Sequence, residues 1–255
     1  MLKVSLDDLV GTIALDRYDK RNALSEDLVG RMLRTLDSFA DGGIRVVILR
    51  AVGTHPIWSA GHDIDELPIA GADPLPYRDP MEVLLRRVRT YPGAVIAMVQ
   101  GSVWGGACDL VFNCDLVVAD ESAAFAVTPA KLGVPYSVSG IQYFLSRLPL
   151  HIVNELMMTA DPISAERALT HGIINRLVPA QDIESITAEL AAVIRSRSAE
   201  SIRAYKEQAR LIVEAVPLTA QQAQYIHQLR LDVYSGRDYA EGVLAFEEKR
   251  PPDFG

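Results

Sequence analysis

Apolar residues recur along this chain in three rhythms, and each rhythm predicts a different kind of element. Residues 4–6 and 11–15 flank the polar pair Asp7-Asp8, which predicts a short β-hairpin. After Ser25, a suitable helix N-cap, Leu28, Met32, Leu33 and Leu36 fall on one helical face. Residues 45–51 read Arg-Val-Val-Ile-Leu-Arg-Ala, a nearly unbroken apolar run of strand length. Residues 94–100 and 116–119 repeat that rhythm, and 124–127 form a shorter run. Such runs suit strands covered on both faces. Residues 81–91 return to helical spacing and stop at Pro92. Between Gly53 and Pro80, prolines at 56, 68, 74, 76 and 80 predict a long loop of the kind found beside a binding cleft. Helices alternating with buried strands predict an α/β fold built from parallel crossover units.

The rhythm changes after about residue 180. From 182 to 248 the spacing is helical almost throughout, broken at Val216-Pro217 and at Ser235-Gly236, and the proline-rich residues 249–255 cannot continue a helix. This divides the chain into a strand-containing core over 1–195 and a helical region over 196–255 suited to assembly. At 255 residues and 49% hydrophobic, the chain can bury one sizeable core. A net charge of −8 leaves no basic stripe for phosphates, so a nucleic-acid partner is not expected. The most apolar stretch, 93–119, is interrupted by Asp109, Asn113 and Asp115 and reads as buried core rather than a membrane span. No charged-then-apolar leader opens the sequence. The two cysteines, Cys108 and Cys114, sit among apolar neighbours and cannot staple a fold of this size. A reducing cytoplasm is therefore the expected compartment.

Two glycine-bearing loops carry the candidate chemistry. Trp58-Ser-Ala-Gly-His-Asp63 follows the strand ending near Ala51, and Gly61 permits backbone conformations that other residues resist. Gly101-Ser-Val-Trp-Gly-Gly-Ala107 lies between the strand at 94–100 and a helix running toward Phe112, with a glycine pair opening that helix. If both loops meet, the N–H groups of His62 and Gly106 form an oxyanion hole for an enolate. Taken singly, each loop reads equally well as an ordinary turn or a close-packing site. A phosphate loop is not expected, because no Gly-Lys-Ser/Thr follows and dinucleotide spacing is absent. His62, Asp63, Asp65 and Glu66 are bunched within five residues. Metal sites draw ligands from separated elements, so no metal is expected, and the acids suit the first turn of a helix.

Several segments together resemble the crotonase (enoyl-CoA hydratase/isomerase) superfamily. They are Asn22-Ala-Leu24, Ser59-Ala-Gly-His-Asp-Ile64, Gly101-Ser-Val-Trp-Gly-Gly106, residues 128–133, and Phe246-Glu-Glu-Lys-Arg-Pro-Pro-Asp-Phe254. The likeness is strongest to its branch that decarboxylates methylmalonyl-CoA. It rests on Gly61-His-Asp-Ile-Asp-Glu-Leu-Pro68, Trp104, Leu132-Gly-Val-Pro-Tyr136 and the run from Val233 to Gly242. The resemblance implies a crotonase-like spiral of β-β-α units with a C-terminal helical region, an acyl-CoA thioester substrate, and a homotrimer or hexamer. It also implies an oxyanion hole from His62 and Gly106, and no cofactor, because CoA is part of the substrate. Phe246 and Lys249 match positions that close over CoA, and backbone groups from Ala60 through Asp63 to Ile64 match the adenine site. Lys20 and Arg21, just ahead of Asn22, are placed to meet the negative charges of CoA, and Ala23 is a further candidate contact.

Residue chemistry then divides the family's reactions. Hydration needs a water activated by two carboxylates. The family's first hydratase glutamate falls at Asp109, which reads better as a helix or interface residue. The second falls at Pro129, which cannot titrate. Decarboxylation needs the oxyanion donors but no base, and a carboxylate at 129 would repel its substrate. Tyr136 matches the tyrosine that contacts the substrate carboxylate, with Thr128 a weaker second candidate. The leading expectation is therefore decarboxylation of a 2-alkylmalonyl-CoA. The alternatives are an enoyl-CoA hydratase or isomerase, and a non-catalytic CoA-ligand binding member of the family.

Overall fold

A computed structural model describes residues 1–66, 78–215 and 218–254. Its strands, in chain order, are β1 (Leu2–Asp7), β2 (Val10–Leu15), β3 (Val46–Ala51), β4 (Ile57–Ser59), β5 (Ala94–Val99), β6 (Ser102–Trp104), β7 (Leu116–Asp120), β8 (Ala124–Ala126), β9 (Ile163–Ser164) and β10 (Arg176–Val178). Its helices are α1 (Glu26–Asp41), α2 (Pro80–Thr90), α3 (Gly106–Asn113), α4 (Val138–Arg147), α5 (Leu150–Thr159), α6 (Ala165–Thr170), α7 (Ile183–Arg195), α8 (Ala199–Val213), α9 (Ala220–Tyr234) and α10 (Arg237–Glu247).

The strands form a six-stranded sheet, ordered β1-β2-β3-β5-β7-β10, and a four-stranded sheet, ordered β4-β6-β8-β9. Only the β1–β2 hairpin in the large sheet and the β8–β9 pair in the small one are antiparallel. Three successive turns of chain, β3–β4, β5–β6 and β7–β8, each place one strand in each sheet before entering a helix. This is the expected spiral. The unbroken apolar runs now have their cause. Val47, Leu49, Val95, Ala97 and Val99 face the main core, while Val46, Ile48, Ile96, Met98 and Val118 face a second cluster closed by Ile183 and Ala191 of α7. A strand sandwiched in this way has no polar face.

Local chemistry sets the helix ends. The Ser25 hydroxyl accepts from the Leu28 N–H, as its N-cap position predicts, and Asp79 does the same for Met81 ahead of Pro80 at the start of α2. Three expectations need correction. The glycine loop at 101–107 does not pass directly from strand to helix, because β6 intervenes as a three-residue member of the second sheet. The helical run after 182 is also broken at 196–198, between α7 and α8, where Ser198 caps the new helix. The hairpin turn sits at Asp8-Leu9, one residue later than read, with Asp8 at φ 53°. The expected break at Val216-Pro217, the prolines at 68, 74 and 76, and the end of the 61–68 motif lie outside the described residues. Among the described residues, no helix is long and apolar enough to cross a membrane.

Candidate active site

Strand pairing brings the two glycine loops together. β4 and β6 run parallel and adjacent in the second sheet, so the loops leaving their C-terminal ends emerge side by side. The approach is close enough that only glycine fits. Gly61 has φ +87°, and a Cβ there would collide with the Trp104 carbonyl oxygen and lie 3.0 Å from the Gly106 nitrogen. A Cβ on Gly106 would in turn sit 3.6 Å from the His62 nitrogen. Gly105, at φ +51°, is the N-cap of α3, which leaves the Gly106 N–H at the positive end of that helix. Among the described residues, neither the His62 nor the Gly106 N–H has an acceptor.

The first loop is held from below by the segment after β2. Asn22, buried at φ 52°, donates from its side chain to the Trp58 carbonyl at 2.9 Å and accepts from the Arg17 N–H at 2.9 Å. The Ser59 hydroxyl donates to the Asn22 carbonyl at 2.7 Å. Arg17 pairs with Asp63 at 2.7 Å and also donates to the Ala23 carbonyl at 3.0 Å. Leu24 and His62 form an isolated parallel bridge. The backbone of 60–63 is thus clamped from both ends, as a preorganised donor must be.

Both loops open into one cleft with about 730 Å3 of empty space. Its walls include His62, Gly106, Thr128, Pro129 and Tyr136, together with Ala60 and Ile64. A smaller recess of about 370 Å3 adjoins it, sharing His62 and Met81. The structure therefore assembles all four residues expected to do chemistry, and two of those expected to hold CoA. The other CoA candidates stand elsewhere. Asp63 directs its carboxylate to Arg17, Ala23 is buried behind the loop, and Lys20 pairs with Asp65 at 3.3 Å near exposed Arg21. Phe246 and Lys249 lie exposed at the end of α10, outside the cleft's lining.

Sequence reasoning treated Asp109 as a helix or interface residue and overlooked Glu82. Both line the cleft. Asp109 is buried on α3 and accepts a short hydrogen bond at Oδ2 from the Tyr136 phenol, while its Oδ1 is buried without a partner. Burial, reinforced by the nearby Glu82 charge, pushes the Asp109 carboxyl up to about 7 against the opposing Tyr136 hydrogen bond and Arg89 charge. The Tyr136 phenol is pushed upward by burial and by Asp109, so it remains a donor. Glu82 is 5% exposed and accepts from the Ser139 hydroxyl at 2.7 Å. One signal for Glu82 was present. It is an acid beside the apolar face of α2 formed by Met81, Leu84, Leu85 and Val88, a position that turns it toward the interior.

The loop carrying Tyr136 is braced by the C-terminal helices. Arg230 of α9 donates to the Tyr136 carbonyl at 3.1 Å, and the Tyr234 hydroxyl reaches the Pro135 carbonyl at 3.4 Å. Gly242 of α10 lies against the backbone of Leu132 so tightly that any Cβ would collide.

A family model described as enoyl-CoA hydratase/isomerase matches residues 7–255. The methylmalonyl-CoA decarboxylase of Escherichia coli (strain K12) is 40% identical over 245 residues, covering 96% of this chain and 94% of its own. The human mitochondrial enoyl-CoA hydratase domain-containing protein 3 is 32% identical over 253 residues, covering 96% of this chain and 80% of its own. A solved structure of methylmalonyl-CoA decarboxylase in complex with 2-nitronate-propionyl-CoA matches with a TM-score of 0.97 at 38% identity, covering 100% of this chain and 98% of that one. The chain therefore has the crotonase fold and belongs to the enoyl-CoA hydratase/isomerase family, in the part of it that resembles methylmalonyl-CoA decarboxylase.

Proposed function

We propose that the protein decarboxylates a 2-alkylmalonyl-CoA thioester, with methylmalonyl-CoA to propionyl-CoA as the first choice. The observation that carries the reading is the pair of N–H groups of His62 and Gly106, side by side in one cleft and without an acceptor among the described residues. They are placed to receive the thioester oxygen as the C–CO2 bond breaks and its electron pair moves into the carbonyl. One such donor supplies on the order of 3–4 kcal/mol of transition-state stabilisation. The apolar wall of Pro129, Leu132, Val134 and Pro135 offers the departing carboxylate little solvation, which favours neutral CO2. The Tyr136 phenol, with Thr128 nearby, orients that carboxylate by exchanging its Asp109 acceptor for the substrate oxygen. The relatives' names support the same chemistry. One solved methylmalonyl-CoA decarboxylase holds 2S-carboxypropyl CoA, a carboxylated CoA compound.

The CoA itself is substrate, and no further cofactor is needed. The recess beside His62 suits its pantetheine arm. The backbone of Ala60, Asp63 and Ile64, with Ala23, forms the adenine side, and Lys20 and Arg21 lie near enough in the chain to meet phosphates. Phe246 and Lys249 would serve a cleft from the exposed end of α10, including that of a neighbouring subunit in a trimer or hexamer. Residues 196–255 are the assembly region in this reading, and the two free thiols support a reducing cytoplasm as the compartment.

Glu82 favours a second reading. With Asp109 it gives the cleft two acids, the equipment of a hydratase. Against that reading, one Asp109 oxygen is taken by Tyr136, and the family's second hydratase acid falls at Pro129, which cannot titrate. Incubation with methylmalonyl-CoA and, separately, crotonyl-CoA, each followed by mass, decides the matter. Propionyl-CoA from the first and negligible hydration of the second are expected. Rapid hydration without decarboxylation would reverse the assignment.

A further inference from the structure

Glu82 has no role in the chemistry above, yet it is a buried acid in the same cleft as another. Its only hydrogen-bond partner among the described residues is the Ser139 hydroxyl. Both acids are buried in one cleft, and the nearby Glu82 charge adds to burial in holding the proton on Asp109. Asp109 has one oxygen, Oδ1, buried with no partner at all. The groups facing Asp109 are Glu82 and Arg89 of α2, Tyr136 from the loop before α4, Cys108 on its own helix, and His62 across the cleft.

Resting on the decarboxylase reading, we propose that Glu82 is a positioning residue that keeps the proton on Asp109, and that Asp109 delivers this proton to C2 of the enolate. The steps balance. Heterolysis of the C–CO2 bond releases CO2 and leaves the enolate oxygen on the two amides. The Asp109 O–H then gives its proton to C2 as the thioester carbonyl re-forms, and the resulting carboxylate is reprotonated from solvent water. Substrate entry promotes the step. When the Tyr136 phenol turns to the substrate carboxylate, Asp109 loses the hydrogen bond that favoured its ionised form, so its proton is held more firmly until the enolate exists.

The test uses the full-length enzyme in D2O with methylmalonyl-CoA. It reads CO2 release, and the configuration of deuterium at C2 of the product with its pH profile. The native enzyme should give one configuration at neutral pH and below, and that selectivity should fall as pH rises through the Asp109 titration. Glu82→Gln should move that falling limb to lower pH by at least about half a unit, and Glu82→Asp should restore it. Asp109→Asn should still release CO2 but give both configurations at C2. A racemic native product at neutral pH and below, a single configuration from Asp109→Asn, or a Glu82→Gln profile superimposable on the native one would each overturn the proposal. Absence of CO2 release from the native enzyme would instead remove the decarboxylase reading on which it rests.

Discussion

Asp109 shows how one side chain can serve catalysis against stability. An ordinary aspartate titrates at 3.8, and this one is raised to about 7 chiefly by burial. Below pH 4 folded and unfolded chains both hold the proton, and nothing is lost. As pH rises toward 7 the unfolded chain ionises while the folded one cannot, so stability falls across that window and then levels. At about 1.4 kcal/mol per unit, the cost reaches about 4 kcal/mol above pH 7. Asp109→Asn keeps an acceptor for Tyr136 and removes the penalty. Its melting temperature should match the native protein near pH 4 and exceed it at pH 8, and equal melting temperatures at both would show that Asp109 ionises freely. His62 and Gly106 were legible in the sequence because glycine beside an apolar run marks a backbone with a special task. Asp109 and Glu82 were not, because a carboxylate's worth depends on which face of its helix meets a cavity. That is a tertiary fact.

At the scale of elements, the site exists because two three-residue strands lie side by side. β4 and β6 fix the spacing of the donor amides, but strands of two or three residues are too short to show a period. Their helices and the long strands of the large sheet were legible, since each repeats its rhythm over five residues or more. The segment after β2 completes the arrangement through the Arg17–Asp63 ion pair, whose side chains are 17% and 8% exposed. Arg17→Met would leave the Asp63 carboxylate buried without its partner. A loss of roughly 3 kcal/mol is expected in urea denaturation, the lower end of the range for breaking such pairs. The amide of His62 should also drift from its aim, lowering kcat/KM by at least about tenfold. An unchanged denaturation midpoint would mean that Asn22 and Ser59 hold the loop unaided.

For the whole molecule, the helical region does two things at once. Its inner surface braces the cleft, and its outer surface carries Tyr205, Ile212, Tyr225, Leu229 and Phe246, all exposed in the single chain. Large apolar side chains spread over three helices predict burial between subunits. Sedimentation at micromolar concentration should therefore give a trimer or hexamer, and a monomer would leave those residues without a purpose. The sequence rhythm showed that the region is helical. It did not show that α9 and α10 fold back on the core, because a contact such as Gly242 on Leu132 leaves no mark in either segment alone.

That fold-back orders events during synthesis. Every residue lining the cleft lies between 60 and 137, so a nascent chain holds all of them long before Arg230, Tyr234 and Gly242 leave the ribosome. Until those three arrive, the loop behind the phenol lacks the hydrogen bonds from Arg230 and Tyr234 and the contact with Gly242. The cleft is therefore fully braced only once the final helices have closed on the rest.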